Sequence, residues 1–182
     1  MTVPAVWLRH PRVAVAPGLC YGRLDVALGP TADVEIAEAL AATPRVSAVW
    51  RSPAGRCAAL AEALAERDGV AVVVDPRLHE LDFGTWEGRP WDEIDRAESD
   101  PWAADPRCLA PPGGERFDDL IARVAGLLEE TDLPCDAGVV AHAGVIRAAR
   151  MLLAGDSFET VFAAAVPYAR PIDLKDVAPW LT

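Results

Sequence analysis

Long apolar runs are missing: no stretch of the 182 residues approaches the length of a membrane span. The opening MTVPAVWLRH has no long apolar core and no cleavage site, so no secretory signal is expected and the chain reads as cytoplasmic. Cations are scarce: 17 Lys and Arg against 28 Asp and Glu leave a net charge of −11. That excess argues against nucleic acid or an anionic membrane as the main partner. Cysteine is sparse and scattered, since Cys20, Cys57, Cys108 and Cys135 form no CxxC pair. Metal knuckles are thereby excluded, and the four read as reduced thiols. Neither HxH nor HExxH spacing occurs, which removes the usual zinc hydrolases. No internal repeat or low-complexity linker divides the chain, so residues 1–182 are expected to form one domain; oligomeric state leaves no mark in the sequence.

What the chain does have is apolar residues, 52 % of the total, enough for a sizeable core. Runs at 5–8, 47–50, 70–74 and 138–141 are short, Val-rich and continuous, as expected of strands covered on both faces. Helical periodicity separates them. Cys57, Leu60, Ala61 and Leu64 recur at i, i+3, i+4, i+7 before a stop at Gly69, and Phe117, Leu120, Ile121, Val124, Leu127 and Leu128 repeat the pattern. Further helices are expected over 34–41 and 145–153, and Asp156 with Glu159 reads as a capping box opening another. Strands alternating with helices predict a three-layer α/β/α sandwich with a mostly parallel central sheet. Residues 81–114 break the rhythm with Trp86, Trp91, Trp102, five prolines and a closing PPGG turn, and are expected to form a cap-like insertion.

The chemistry lies where the strands stop. The first ends in Arg9-His10; the second runs through Arg51-Ser52 to Arg56; the fourth ends in His142, with Gly144 opening a helix. In open α/β sheets, ligands bind beyond the carboxyl ends of the strands. Arginine forks bind phosphate oxygens, and a helix N-terminus favours an anion. A neutral histidine among them can attack phosphorus. A carboxyl to protonate the leaving oxygen completes the set, and Glu80 is the candidate.

Five motifs occur in order: RHP at 9–11, SPAGR at 52–56, ELDFGTWEG at 80–88, PGGE at 112–115 and HAG at 142–144. Together they resemble the histidine phosphatase superfamily, the phosphoglycerate mutase-like fold, over roughly residues 7–168. CYGRLD at 20–25 is most similar to the α-ribazole phosphatase-like branch. The resemblance implies a mixed sheet, no metal and no cofactor. It implies His10 as a nucleophile that becomes phosphohistidine, and Arg9, Arg56 and His142 as the phosphate pocket. Glu80 would be first acid and then base. The implied partner is a small-molecule phosphate ester, with α-ribazole 5′-phosphate of cobalamin biosynthesis the expected substrate. A phosphoglycerate mutase-like phosphotransferase and a catalytically silent phospho-ligand binding module are the alternatives. Arg23, Tyr21 and Trp86 are candidate substrate contacts.

The sequence departs from the family pattern at Pro11 and Ala143, where glycine is usual, at Arg116, and at Arg12 and Ala16, where Glu and Asn are common. His79 matches no family position and is expected at the surface or behind the site. Arg51 is expected in a structural ion pair, and Asp82 or Glu87 stand next in line as the acid.

Overall fold

The computed structural model describes residues 5–131 and 133–174; the first four residues, part of the N-terminal stretch read above, lie outside them. Strands β1 (Val6–Arg9), β2 (Val49–Arg51), β3 (Val72–Val74), β4 (Gly138–Ala141) and β5 (Pro171–Asp173) form one sheet in the order β3-β2-β4-β1-β5. The first four run parallel, and β5 pairs antiparallel with β1. The helices are α1 (Ala32–Ala42), α2 (Gly55–Asp68), α3 (Arg96–Ala104), α4 (Phe117–Glu130), α5 (Ala143–Ala154) and α6 (Phe158–Ala163). This is the expected α/β sandwich with a mixed sheet.

Strand alternation sends the core two ways. Trp7, Val139 and Ala141 pack with Leu120, Val124, Leu127 and Val145 of α4 and α5. Val6, Leu8 and Val140 pack with Ala39, Leu60 and Leu64 of α1 and α2 on the other face. Burying each such Leu or Val contributes about 1.5–3 kcal/mol. Gly69 adopts φ 68° and closes α2, its N–H donating to the Ala65 carbonyl.

Three expectations need correcting. The 70–74 run is not covered on both faces: β3 is an edge strand, and Val73 and Val74 are 36 % and 47 % exposed. The strand at 47–50 begins only at Val49, because Ser47 Oγ turns outward to Asp136 at 2.5 Å. Asp156 and Glu159 form no capping box. Ser157 caps α6 through the Thr160 N–H, while Asp156 takes Arg150 Nε at 2.8 Å. Strand β5 carries no signal in the sequence, since three residues beginning with proline show no periodicity; an edge position tolerates the missing N–H.

Residues 81–114 hold α3 and short turns at Gly84–Trp86 and Trp91–Glu93. Trp86, Ile94 and Cys20 form a small core there, with Phe83, Trp91 and Trp102 packed against it. Backbone hydrogen bonds join this segment to the loop after β1: Cys20 N to Arg89 O, Gly88 N to Cys20 O and Trp91 N to Gly18 O, each 2.8 Å.

Candidate active site

Sheet order brings the charged strand ends together. β2, β4 and β1 are neighbours, and Arg9 lies in register with Ala141 and Arg51 with Val140. The next residues continue the ladder: His10 N donates to Ala141 O at 3.0 Å and Ser52 N to Val140 O at 3.1 Å. His10, Ser52 and His142 therefore share one edge, with α5 starting directly after His142.

His10 is 2 % exposed, and its Nδ1 lies 2.7 Å from the Pro11 carbonyl. A carbonyl only accepts, so the ring proton is on Nδ1 and Nε2 keeps its lone pair. Burial pushes the His10 pKa down to about 3; Arg56 and Arg9 push the same way, and the Pro11 bond opposes them. His142 is fully buried, and its pKa falls well below the usual value, chiefly by desolvation and then by Arg56. Its Nδ1 accepts from Arg56 Nη2 at 3.2 Å, so its Nε2–H donates to Ser52 Oγ at 2.8 Å. The two imidazole centroids are 5.2 Å apart.

Arg56 is 1 % exposed and is held by carbonyls: Nη1 donates to Leu24 O at 2.9 Å and Nη2 to Gly22 O. Arg9 donates through Nη1 to Val166 O at 3.0 Å and through Nη2 to the Tyr168 hydroxyl at 2.8 Å. In both arginines Nε is buried and has no partner. One buried and one half-buried cation, neither paired with a carboxylate, beside a neutral imidazole make a site that an anion would complete.

Glu80 arrives by a detour. The strand before it, β3, lies two positions from β4 and three from β1, but the chain returns through the turn at Pro76–Leu78. Glu80 Oε2 then accepts from Gly144 N at 3.1 Å, at the start of α5, and Oε1 from Leu81 N at 3.0 Å. Arg123 holds that turn, donating to Arg77 O at 2.6 Å and Glu80 O at 3.2 Å while pairing with Glu115 at 2.8 Å. The other carboxyl candidates have structural duties. Glu87 accepts the backbone N–H groups of Arg23, Leu24 and Phe83, and Asp82 that of Gly84.

The remaining expectations divide. Tyr21 reaches the site, its hydroxyl 3.5 Å from that of Tyr168 and its ring under Arg56. Arg23 is partly exposed and links Asp82 and Glu115 at 3.6 and 3.7 Å. Trp86 is not available to a ligand: its ring is 1 % exposed beneath Trp91 and Trp102, and its Nε1–H goes to Glu98 at 3.1 Å. Arg51 forms no ion pair among the described residues; it donates to its neighbour Ser52 O at 2.9 Å. His79 is half-buried, its pKa lowered first by burial and then by Arg23, Arg123 and Arg56. Two contributors carried no signal in the sequence. Tyr168 belongs to no motif, and Arg123 is one of several exposed-looking charges on α4. Ser52 stood inside the SPAGR motif, and only the fold shows it meeting His142. Among the described residues, no group of three or more His, Cys, Asp or Glu side chains is placed to hold a metal ion.

The family model described as "Histidine phosphatase superfamily (branch 1)" matches residues 6–172. A bifunctional protein of Mycobacterium tuberculosis is 43 % identical over 84 residues, covering 43 % of this chain; the chain spans only 22 % of that relative. The glucosyl-3-phosphoglycerate phosphatase of Mycolicibacterium vanbaalenii is 34 % identical over 169 residues, covering 82 % of this chain and 73 % of the relative. Among solved structures, the α-ribazole phosphatase of Shigella flexneri superposes with a TM-score of 0.81 at 22 % identity, covering 91 % of this chain and 86 % of that one, a likeness of fold.

Proposed function

The chain belongs to the histidine phosphatase superfamily, a family of phosphomonoesterases, and from that premise we propose that it hydrolyses a small-molecule phosphate monoester through a phosphohistidine at His10. One observation carries the reading: a buried imidazole held neutral, with Nε2 unprotonated, among arginines that lack carboxylate partners. In the first step Nε2 bonds to phosphorus, the bond to the leaving oxygen breaks, and Glu80 gives that oxygen its proton. In the second, Glu80 takes a proton from water, the water oxygen bonds to phosphorus, and the P–N bond breaks. Arg9 and Arg56 balance the phosphoryl charge through N–H groups that the fold leaves unused. His142 now supports Arg56; a bound dianion beside it would favour its protonated form, which can donate to phosphate. Arg9 and Arg56 supply the positive charge that a metal would otherwise bring, which fits chemistry without one. We further read the chain as one domain acting in the cytoplasm, with residues 81–114 capping the site.

For the substrate, the sequence favours α-ribazole 5′-phosphate. The features behind that choice have structural explanations, however. The CYGRLD loop anchors Arg56 by its carbonyls, and Gly22 lets the backbone pass close to Leu81 O. The relative named above that is 34 % identical over 169 residues is a glucosyl-3-phosphoglycerate phosphatase, so a phosphorylated sugar acid is the second reading. Turnover of α-ribazole 5′-phosphate, glucosyl-3-phosphoglycerate and 3-phosphoglycerate separates these readings from each other and from a mutase. Phosphoenzyme trapping tests the mechanism itself: rapid quench is expected to yield an acid-labile, base-stable phosphoryl group, absent in His10→Ala. A His10→Ala variant that still turns over would refute it.

A further inference from the structure

Tyr168 lies outside every motif, yet it touches Arg9, His10 and Tyr21 of the site. Its hydroxyl accepts from Arg9 Nη2 at 2.8 Å, and the Arg9 guanidinium carbon lies 3.6 Å from its ring centroid. Its ring meets His10 edge-on at 5.6 Å. Its hydroxyl is 3.5 Å from that of Tyr21, whose ring in turn lies 5.4 Å from the Arg56 guanidinium. The two tyrosines thus connect the side chains of Arg9 and Arg56.

The backbone shows that this placement is enforced. Ala169, next to Tyr168, has φ 47° and is the one non-glycine residue with positive φ among those described. A side chain disfavours that conformation, and it persists only where surrounding contacts demand it. Here Ala169 N donates to Arg9 O at 3.0 Å, and Tyr168 bridges to Arg9, the last residue of β1. Tyr168 also forms a wall of two cavities, of about 500 and 230 Å³, shared with Arg12. The phenol therefore stands between the nucleophile's strand and open space.

We propose that Tyr168 is a positioning residue: its phenol fixes Arg9 for the substrate phosphate, and through Tyr21 it couples the Arg9 arm to the Arg56 arm. The chemistry favours a phenol for this task. A carboxylate would fix the guanidinium but cancel its charge and repel the phosphate. A neutral hydroxyl takes one N–H and leaves the cation intact. Tyr21 remains neutral at working pH, since burial and its contact with Tyr168 push its pKa up to about 12.

This inference rests on the phosphatase reading, and the test keeps the two apart by measuring phosphate binding without turnover. Calorimetric titration with orthophosphate is done on wild type, Tyr168→Phe, Tyr21→Phe and the double variant, with thermal unfolding of each. Tyr168→Phe keeps the ring and loses the hydroxyl, so the orthophosphate Kd is expected to rise about tenfold, as for a lost hydrogen bond to a charged group. The double variant should weaken binding by much less than the product of the single effects, the mark of coupled groups. Wild-type affinity in Tyr168→Phe overturns the positioning role, whatever happens to Tm. Multiplying effects overturn the coupling through Tyr21. A wild-type protein that binds no orthophosphate instead removes the phosphatase reading beneath both.

Discussion

At the residue scale, the decisive quantity is the protonation of His10. Its pKa falls from the ordinary 6.5 to about 3 on folding, so between those values the unfolded chain holds a proton that the folded one does not. The resulting stability is complete above pH 6.5 and is lost as pH falls towards 3. From pH 7 to pH 5 this group alone should cost about 2 kcal/mol. Urea unfolding at the two pH values is expected to show that loss in wild type and a smaller loss in His10→Gln, because His142 titrates in both. Equal losses would mean that His10 is not held neutral. Glu80 offers a second test at this scale. Glu80→Gln keeps the shape and removes the proton, so phosphoenzyme formation from an alkyl phosphate should slow by about 10²–10⁴-fold. With p-nitrophenyl phosphate, whose leaving group needs no proton, single-turnover kinetics should show a much smaller change. Equal slowing of both would assign the acid elsewhere.

At the element scale, the start of α5 is where helix geometry and chemistry meet. His142 precedes the helix, and Gly144 N, one of its unpaired amides, donates to the Glu80 carboxylate. A β-carbon at position 144 would lie well inside contact distance of Glu80 Oε1. Glu80, the end of a flexible side chain, would have to yield rather than the helix. Gly144→Ala is therefore expected to leave Tm within a few degrees, since alanine suits a helix better than glycine by about 1 kcal/mol. Alkyl phosphate turnover should fall about 10²-fold, towards the Glu80→Gln level. Unchanged turnover would show that the Glu80–Gly144 contact does not place the acid. Element boundaries also show what periodicity conveys. The α4 stripe of Phe117, Leu120, Val124 and Leu127 is buried as its spacing predicts. The start of α6 was misread because Asp156 suits a cap and an ion pair equally, and Arg150 claims it.

At the scale of the whole molecule, the segment 81–114 is held by close backbone approaches rather than by a broad core. Gly84 has φ 54°, and a β-carbon there would collide with Pro112 O and Gly114 N, atoms that cannot swing aside. Gly84→Ala is expected to cost roughly 3 kcal/mol, a Tm fall of roughly 6–12 °C for a chain this size, measured by calorimetry. A change under 2 °C, on the order of measurement noise for such a shift, would mean the segment is not anchored at that point.

The residues that end β1, β2 and β4 were legible along the chain, because strand length and residue type are local properties. So were the buried helix faces, because periodicity is local too. Arg9, His10, Arg56, Glu80 and His142 of the candidate site were legible in that way, whereas Tyr168 and Arg123 were not. Tertiary structure alone decided their partners. Arg56 is held by a carbonyl 34 residues away, and Arg9 by a phenol 159 residues away. Trp86 looked like a ligand surface and proved to be core, because aromatic residues suit both and only packing distinguishes them. The physical reason is the sheet order β3-β2-β4-β1-β5, which inserts β4 between β1 and β2 and returns Glu80 to α5. No local pattern encodes that order; it follows from which apolar faces cover one another when the whole chain is folded.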